Sequence, residues 1–198
     1  MPTKTEIANK ALFRLGQGQA IQNVETDQSV EAGYIRTFYE SARQEVLRQH
    51  TWGFAKGFRE LVQTANEPRS RFFSFQFKYP NDVLRIIEIE RATDNENVIQ
   101  FERGFDNRSG DPVILTNVSD PVAIVTEDIT KEKLFDPMFA DALAYRLAID
   151  IAPLVTSDTT KQELMVQFLQ RVIEQAKAVS SEESESRDRP QADWIKGR

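Results

Sequence analysis

Four carboxylates are the residues of this sequence best suited by type to chemistry. Glu88 and Glu90 alternate with Ile87 and Ile89 along an extended run, and Asp128 and Asp136 flank a return to helical pattern. Two carboxyls facing each other about 5 to 10 Å apart across a cleft would make a glycosidase, one protonating the leaving oxygen while the other attacks or activates water. A strand face turned to water explains Glu88 and Glu90 without any reaction, and no spacing singles out a pair. His50 is the only histidine. A general base needs an oriented partner and a nucleophile, and a metal ligand needs companions. Neither is signalled, so His50 reads as the residue closing a helix, where the macrodipole favours it.

Gly16-Gln17-Gly18 follows a helical pattern instead of a strand, and it lacks both a third glycine and a Lys-Ser/Thr pair. It therefore reads as a helix stop and not as a phosphate loop. The chain has no cysteine, which excludes disulfides, thiol nucleophiles and thiolate metal sites. No catalytic, cofactor-binding or metal-binding residue is expected, and the protein is not expected to be an enzyme. A net charge of -6 and a pI near 5.0 argue against tight nucleic-acid binding, which needs clustered Lys and Arg. Phe73, Phe75, Phe77 and Tyr79 alternate with Ser74, Gln76 and Lys78. They would stack single-stranded bases only if set in a basic field, and just Arg69, Arg71 and Lys78 lie near. Packing on one sheet face is the better reading, with a protein interface as the use of any part left exposed.

The elements that carry these residues follow from periodicity. Thr3 and Glu6 have capping-box spacing, and Ile7, Ala8, Ala11, Leu12 and Leu15 then share a face before Gly16, so a helix is expected over 4–15. Ile21 and Val24 are expected to tuck into the core from the loop that follows. Val30, Tyr34, Phe38, Ala42 and Leu47 give a second, long helix ending near His50. TWGFAKGFRELV breaks the pattern with two glycines, and Trp52 and Phe54 are expected in the core. Five β-rich runs separated by turn-forming clusters, among them ATDNEN and DNRSGD, predict an antiparallel meander over 71–126. Asp136 as N-cap with Pro137 opens a third helix, whose stripe of Phe139, Leu143, Leu147 and Ile151 is closed by Pro153. Ser157 or Asp158 caps a fourth of some twenty residues, about 30 Å long. The expected fold is α+β, mainly α: a four-helix bundle (1–70 and 127–180) with an inserted small antiparallel β subdomain (71–126) and an extended C-terminal tail (181–198). At about 100 to 200 residues per domain, 198 residues allow one core with a subdomain. No secretion signal and no membrane span is read, so a cytosolic site of synthesis and no membrane partner are expected.

Several residue groups also stand in a familiar order. The opening helix with Ala11, Leu12, Leu15 and Gly16, the loop through Ile21, and a long helix ending in Trp52-Gly53-Phe54-Ala55 resemble the start of the tail tubular protein A family. These are the head-to-tail connector, or adaptor, proteins of short-tailed bacteriophages. The resemblance continues through Tyr79-Pro80-Asn81-Asp82-Val83-Leu84-Arg85 and Phe135-Asp136-Pro137-Met138-Phe139, then Ala142-Leu143 and Leu147-Ala148, to Trp194-Ile195. It implies a dodecameric ring of this chain in the virion, between portal protein and tail nozzle protein, through whose bore double-stranded DNA leaves without specific binding. An acidic ring suits that task, since repulsion centres the duplex and lets it slide. The alternatives are a virion-associated peptidoglycan hydrolase using two of Glu88, Glu90, Asp128 and Asp136, and a small DNA-binding regulator, which charge and the lack of a recognition motif disfavour.

The last residues, QADWIKGR, follow the polar run SSEESESRDRP. Such a run cannot bury itself, yet it leads to Trp194 and Ile195, flanked by Asp193, Lys196 and Arg198. The expectation is an anchor on a polar spacer that docks on the portal or an adjacent subunit; the alternative is a frayed end resting on the fourth helix.

Overall fold

A computed structural model of the chain describes residues 2–68, 70–91, 99–156 and 158–185. They fall into two compact units, one formed by 1–50 with 132–198 and the other by 51–131. Helix accounts for 46% and strand for 21%. The protein is thus a mixed α+β fold, and the expectation of a four-helix bundle with a small inserted β subdomain is incorrect. Among the described residues there are four α-helices and two three-stranded antiparallel sheets.

In the helical unit the helices are α1 (Lys4–Arg14), α2 (Val30–Gln49), α3 (Pro137–Val155) and α4 (Thr159–Glu185). They do not form a ring of equals around a shared seam. Each of α1, α2 and α4 packs on α3, whose Phe139, Ala140, Ala142, Leu143, Ala144, Leu147, Ala148, Ile149, Ile151 and Ala152 are all buried. A helix with so wide an apolar surface belongs at the centre; the stripe expected from Phe139, Leu143, Leu147 and Ile151 is only part of it, and Asp141, Arg146 and Asp150 mark the side left polar.

Local chemistry sets the helix ends. Thr3 Oγ1 accepts from Glu6 N at 3.2 Å and Glu6 Oε2 accepts from Thr3 N at 2.8 Å, closing the capping box. Gly16 takes a φ of +83° while Gln17 N donates to Leu12 O, the left-handed stop that glycine adopts most readily. Lys161 Nζ then caps the exposed end of α1 by donating to Leu15 O at 3.0 Å. The loop to α2 is held by an amide clamp, Asn9 Nδ2 donating to Ile21 O and Ile21 N to Asn9 Oδ1, each at 2.8 Å. Ile21 and Val24 are buried there. Asp136 Oδ1 accepts from Met138 N at 2.7 Å and Pro137 follows at the first helical position.

Two helix expectations shift. The buried side of α2 is Ala32, Ile35, Tyr39, Ala42, Val46 and Leu47, so Val30 stands exposed and the true stripe is rotated from the expected one. Pro153 does not close α3, which runs on to Val155. Proline has no N–H for the Ile149 carbonyl, and Gln162 Nε2 of α4 donates to that oxygen at 3.1 Å instead. Asp158 Oδ1 accepts from Thr160 N at the start of α4, and Ser157 lies outside the described residues. Residues 181–185, expected in the tail, continue α4. Among the described residues no helix is long and apolar enough to cross a membrane.

The β unit is larger than expected and is not a meander. Its strands are β1 (Lys56–Glu60), β2 (Phe75–Lys78), β3 (Val83–Arg91), β4 (Phe101–Phe105), β5 (Pro112–Thr116) and β6 (Pro121–Glu127), in the orders β1-β6-β3 and β2-β5-β4. Only β4 and β5 are both consecutive and paired. After β1 the chain crosses to the second sheet, where Lys78 N donates to Val62 O at 2.8 Å and Thr64 N to Gln76 O at 2.9 Å. One apolar core is shared by both sheets: Val83 and Ile89 of β3 and Ala123 and Val125 of β6 meet Phe77 of β2 and Ile114 of β5. Two register shifts on β3, at Leu84 and Ile87, each set an extra residue against β6. They turn Val83, Ile86 and Ile89, three apart, onto the core face. Of the aromatic run, Phe75, Phe77 and Tyr79 join this core as the packing reading expects, whereas Phe73 precedes β2 and is not among its residues.

Candidate functional site

The four candidate carboxylates fall in three places along the chain. Glu88 and Glu90 stand opposite Ile124 and Val122 on the face of β3 turned from the core. Asp128 follows β6, its N–H bonded to Asp82 O at 3.0 Å. Asp136 belongs to the helical unit, where its carboxylate is engaged in capping α3. His50 is the C-cap of α2, buried, with Nε2 2.9 Å from Ser180 Oγ of α4. Among the described residues no group of three or more His, Asp or Glu is placed to hold a metal ion. Asp193, Trp194, Ile195, Lys196 and Arg198 lie outside the described residues, as do ATDNEN and Arg69.

A buried polar knot in the β unit was not singled out by sequence. Asp106 is 7% exposed. Its Oδ1 accepts from Arg108 N at 2.9 Å and its Oδ2 from Asn66 Nδ2 at 2.6 Å, while Arg108 Nη1 donates to Asn66 Oδ1 at 3.0 Å. The backbone bond from Arg108, then the Asn66 amide, hold the Asp106 carboxyl below its ordinary range. Gly110, at φ +78°, closes the same DNRSGD loop through a bond from its N–H to Asp106 O. The knot ties Asn66, between β1 and β2, to the β4–β5 turn and so braces the unit.

The helical unit offers two open grooves. One of about 590 Å³ lies between α1 and the start of α3, lined by Ile7, Lys10, Phe13, Pro137 and Ala140 among others. The second, about 580 Å³, has Arg146 and Ile149 of α3 with Gln49 of α2 and Val166, Leu169 and Ile173 of α4. Glu174 and Lys177 also line it. Leu169 and Ile173 are buried and Val166 is partly exposed, so one wall is apolar.

Arg146 is the electrostatic centre of this second groove. Its Nε lies 3.0 Å from Glu45 Oε2 and its Nη2 2.6 Å from Asp150 Oδ1. One cation thus serves two carboxylates. Burial pushes the Asp150 carboxyl above its ordinary range, Arg146 opposes that, and Glu45 adds to it. The walls are held by a stack through three helices: the Arg14 guanidinium sits 3.4 Å from the Tyr145 ring centroid, and Tyr145 stacks on Phe168 at 5.7 Å. Arg171 lies over the far ring at 5.7 Å. Position and chemistry fit the groove to a side chain that is apolar in body and basic at its edge. No sequence signal marks it, because Glu45, Arg146 and Glu174 are far apart in the chain.

The β unit presents three phenylalanines to water. Phe58, Phe72 and Phe105 are 62%, 84% and 71% exposed, and Val62 on the segment after β1 is exposed too. No protein-family model and no curated protein matches the chain.

Proposed function

We propose that this chain is a structural head-to-tail connector of a bacteriophage particle, working as a ring of identical subunits between the portal and the tail nozzle, with DNA passing through the bore. Twelve copies is the number the family resemblance implies. The observation that carries the reading is the set of Phe58, Phe72 and Phe105, three aromatic side chains left mostly in water by the β unit. Exposed aromatics supply interface anchors, and these belong to a different unit from the grooves between helices. A closed ring needs two unlike surfaces on each subunit, and a neck protein needs further ones above and below. The ordered residue groups from Ala11 to Trp194-Ile195 supply the identity of that assembly.

In this reading the net charge of -6 per subunit, repeated around a bore, holds DNA at the axis without gripping it. The segment with Asp193, Trp194, Ile195, Lys196 and Arg198 docks on the portal or on an adjacent subunit. Light scattering on the chain mixed with its portal protein tests the proposal. A complex containing many copies of the chain is expected; a chain that stays monomeric beside assembled portal refutes it. The hydrolase alternative has no observation in its favour: Glu88 and Glu90 share one face of β3, Asp128 follows β6 and Asp136 is engaged in capping α3.

A further inference from the structure

We propose that the groove between α2, α3 and α4 is the acceptor for the C-terminal segment of a second copy of this chain, with Trp194 and Ile195 packed against Leu169 and Ile173. This deepens the ring reading and rests on it, by assigning which surface of the adjacent subunit is used. Charge supports the assignment. Glu174, Arg146 and Lys177 line the groove, and Glu45 and Asp150 pair with Arg146, an excess of one negative charge among these five. Residues 186–198 carry Arg187, Arg189, Lys196 and Arg198 against Asp188 and Asp193, an excess of two positive charges at the end of an otherwise acidic chain. Lys196 or Arg198 placed beside Glu174 would supply the counter-charge that Arg146, shared between two carboxylates, does not. The groove between α1 and α3 fits less well. Its Glu6 is engaged in the capping box and its Lys10 lies 3.7 Å from Asp141.

Length permits a second copy, and the ring reading selects it over the same one. Helix α4 continues from Lys177 at the groove to Glu185, about 12 Å at 1.5 Å per residue, and so starts the segment away from its own groove. From Glu185 to Trp194 the chain spans at most about 30 Å when extended, which reaches a neighbour and also its own groove, so the emission and mixing experiments below separate the two. Donor segment and acceptor groove are then the two unlike surfaces that a head-to-tail contact requires.

The test uses full-length protein over a range of concentrations, with mass from light scattering and the Trp194 signal taken as the difference between wild type and Trp194→Phe. Subtraction removes the contribution of Trp52. Association is expected to rise with concentration, together with a blue shift of Trp194 emission. Trp194→Ala and the rim substitution Glu174→Lys should each weaken association at least tenfold. Mixed in equal amounts, these two variants should form a complex of one copy each that grows no further, because only one intact segment and one intact groove remain. Trp194 shielded at every concentration in a monomer means docking on its own chain and overturns the proposal. So does association unchanged by either substitution, or a wild type that stays monomeric with Trp194 in water at the highest concentration reached. A ring that forms with portal but is indifferent to Glu174→Lys sinks this assignment and leaves the connector reading standing; absence of any ring with portal sinks the connector reading itself.

Discussion

The bond from Gln162 to the Ile149 carbonyl, which Pro153 leaves without a helical donor, gives a sharp test of how α3 and α4, which carry most of the second groove, are joined. Pro153 deprives the Ile149 carbonyl of its helical donor, and Gln162 Nε2 replaces it at 3.1 Å. Ile149 is 7% exposed, so water is a poor substitute. Gln162→Ala should therefore cost about 1 kcal/mol, the net value of one partly buried hydrogen bond. Pro153→Ala restores the N–H and removes the ring clash, a gain of up to about 3 kcal/mol in a helix interior. Greater freedom of the unfolded chain takes back about 0.4 to 1 kcal/mol, and the position lies in the last turn, so a net gain of about 1 kcal/mol is expected. With alanine at 153 the Ile149 oxygen has its backbone donor, and Gln162→Ala should cost less than half as much as before. Urea unfolding followed by far-ultraviolet circular dichroism on the four members of the double-mutant cycle measures this. Additivity within about 0.3 kcal/mol would mean that the two residues do not share the carbonyl, and the reasoning would be refuted.

Other outcomes follow from the same packing. Leu143→Ala, at a fully buried site on the central helix, should destabilise the helical unit by about 3 to 5 kcal/mol in urea titration. Gly16→Ala forces a side chain into φ +83° and should lower stability by about 1 kcal/mol by the same measurement. Asp106 and Asp150 should give opposite pH dependences. The carboxyl of Asp106 is held below its ordinary 3.8 by Arg108 N and Asn66; its contribution is present above that value and is lost as pH falls through the lower folded value. Asp106→Asn should flatten the acid loss of stability. The carboxyl of Asp150 is raised above 3.8 by burial, so stability is lost as pH rises from 3.8 through its higher folded value. Asp150→Asn should remove that loss, and melting temperatures of both variants from pH 3 to pH 7 check the two signs.

What could be read from sequence was the chemistry that acts within a few residues. The Thr3–Glu6 capping box, the stop at Gly16 and the start at Asp136-Pro137 depend on side chains next to the backbone groups they satisfy, and they stand where the spacing puts them. Errors began where the deciding partner was remote. Val30, Tyr34 and Phe38 are as apolar as Ala32, Ile35 and Tyr39, and only packing on α3 selects the second set. The alanines of α3 widen its buried surface well beyond the stripe of Phe139, Leu143, Leu147 and Ile151. Pro153 looked like a terminator because Gln162, its compensation, lies on another helix. In the β unit the two extra residues on β3 replace a period of two by a spacing of three for Val83, Ile86 and Ile89. The pairing of β1 and β3 with β6 has no local signature at all. The second groove was illegible for the same reason, being assembled from three helices whose contributing residues carry no motif.

The connector reading can be tested most directly by a cryo-electron microscopy reconstruction of the particle neck. The account predicts a closed ring of this chain between portal and nozzle, with a net acidic bore around the DNA path and Trp194 of each subunit in the groove between α2, α3 and α4 of the next. A neck that lacks this chain, or a ring of it with a strongly basic bore, would contradict the account.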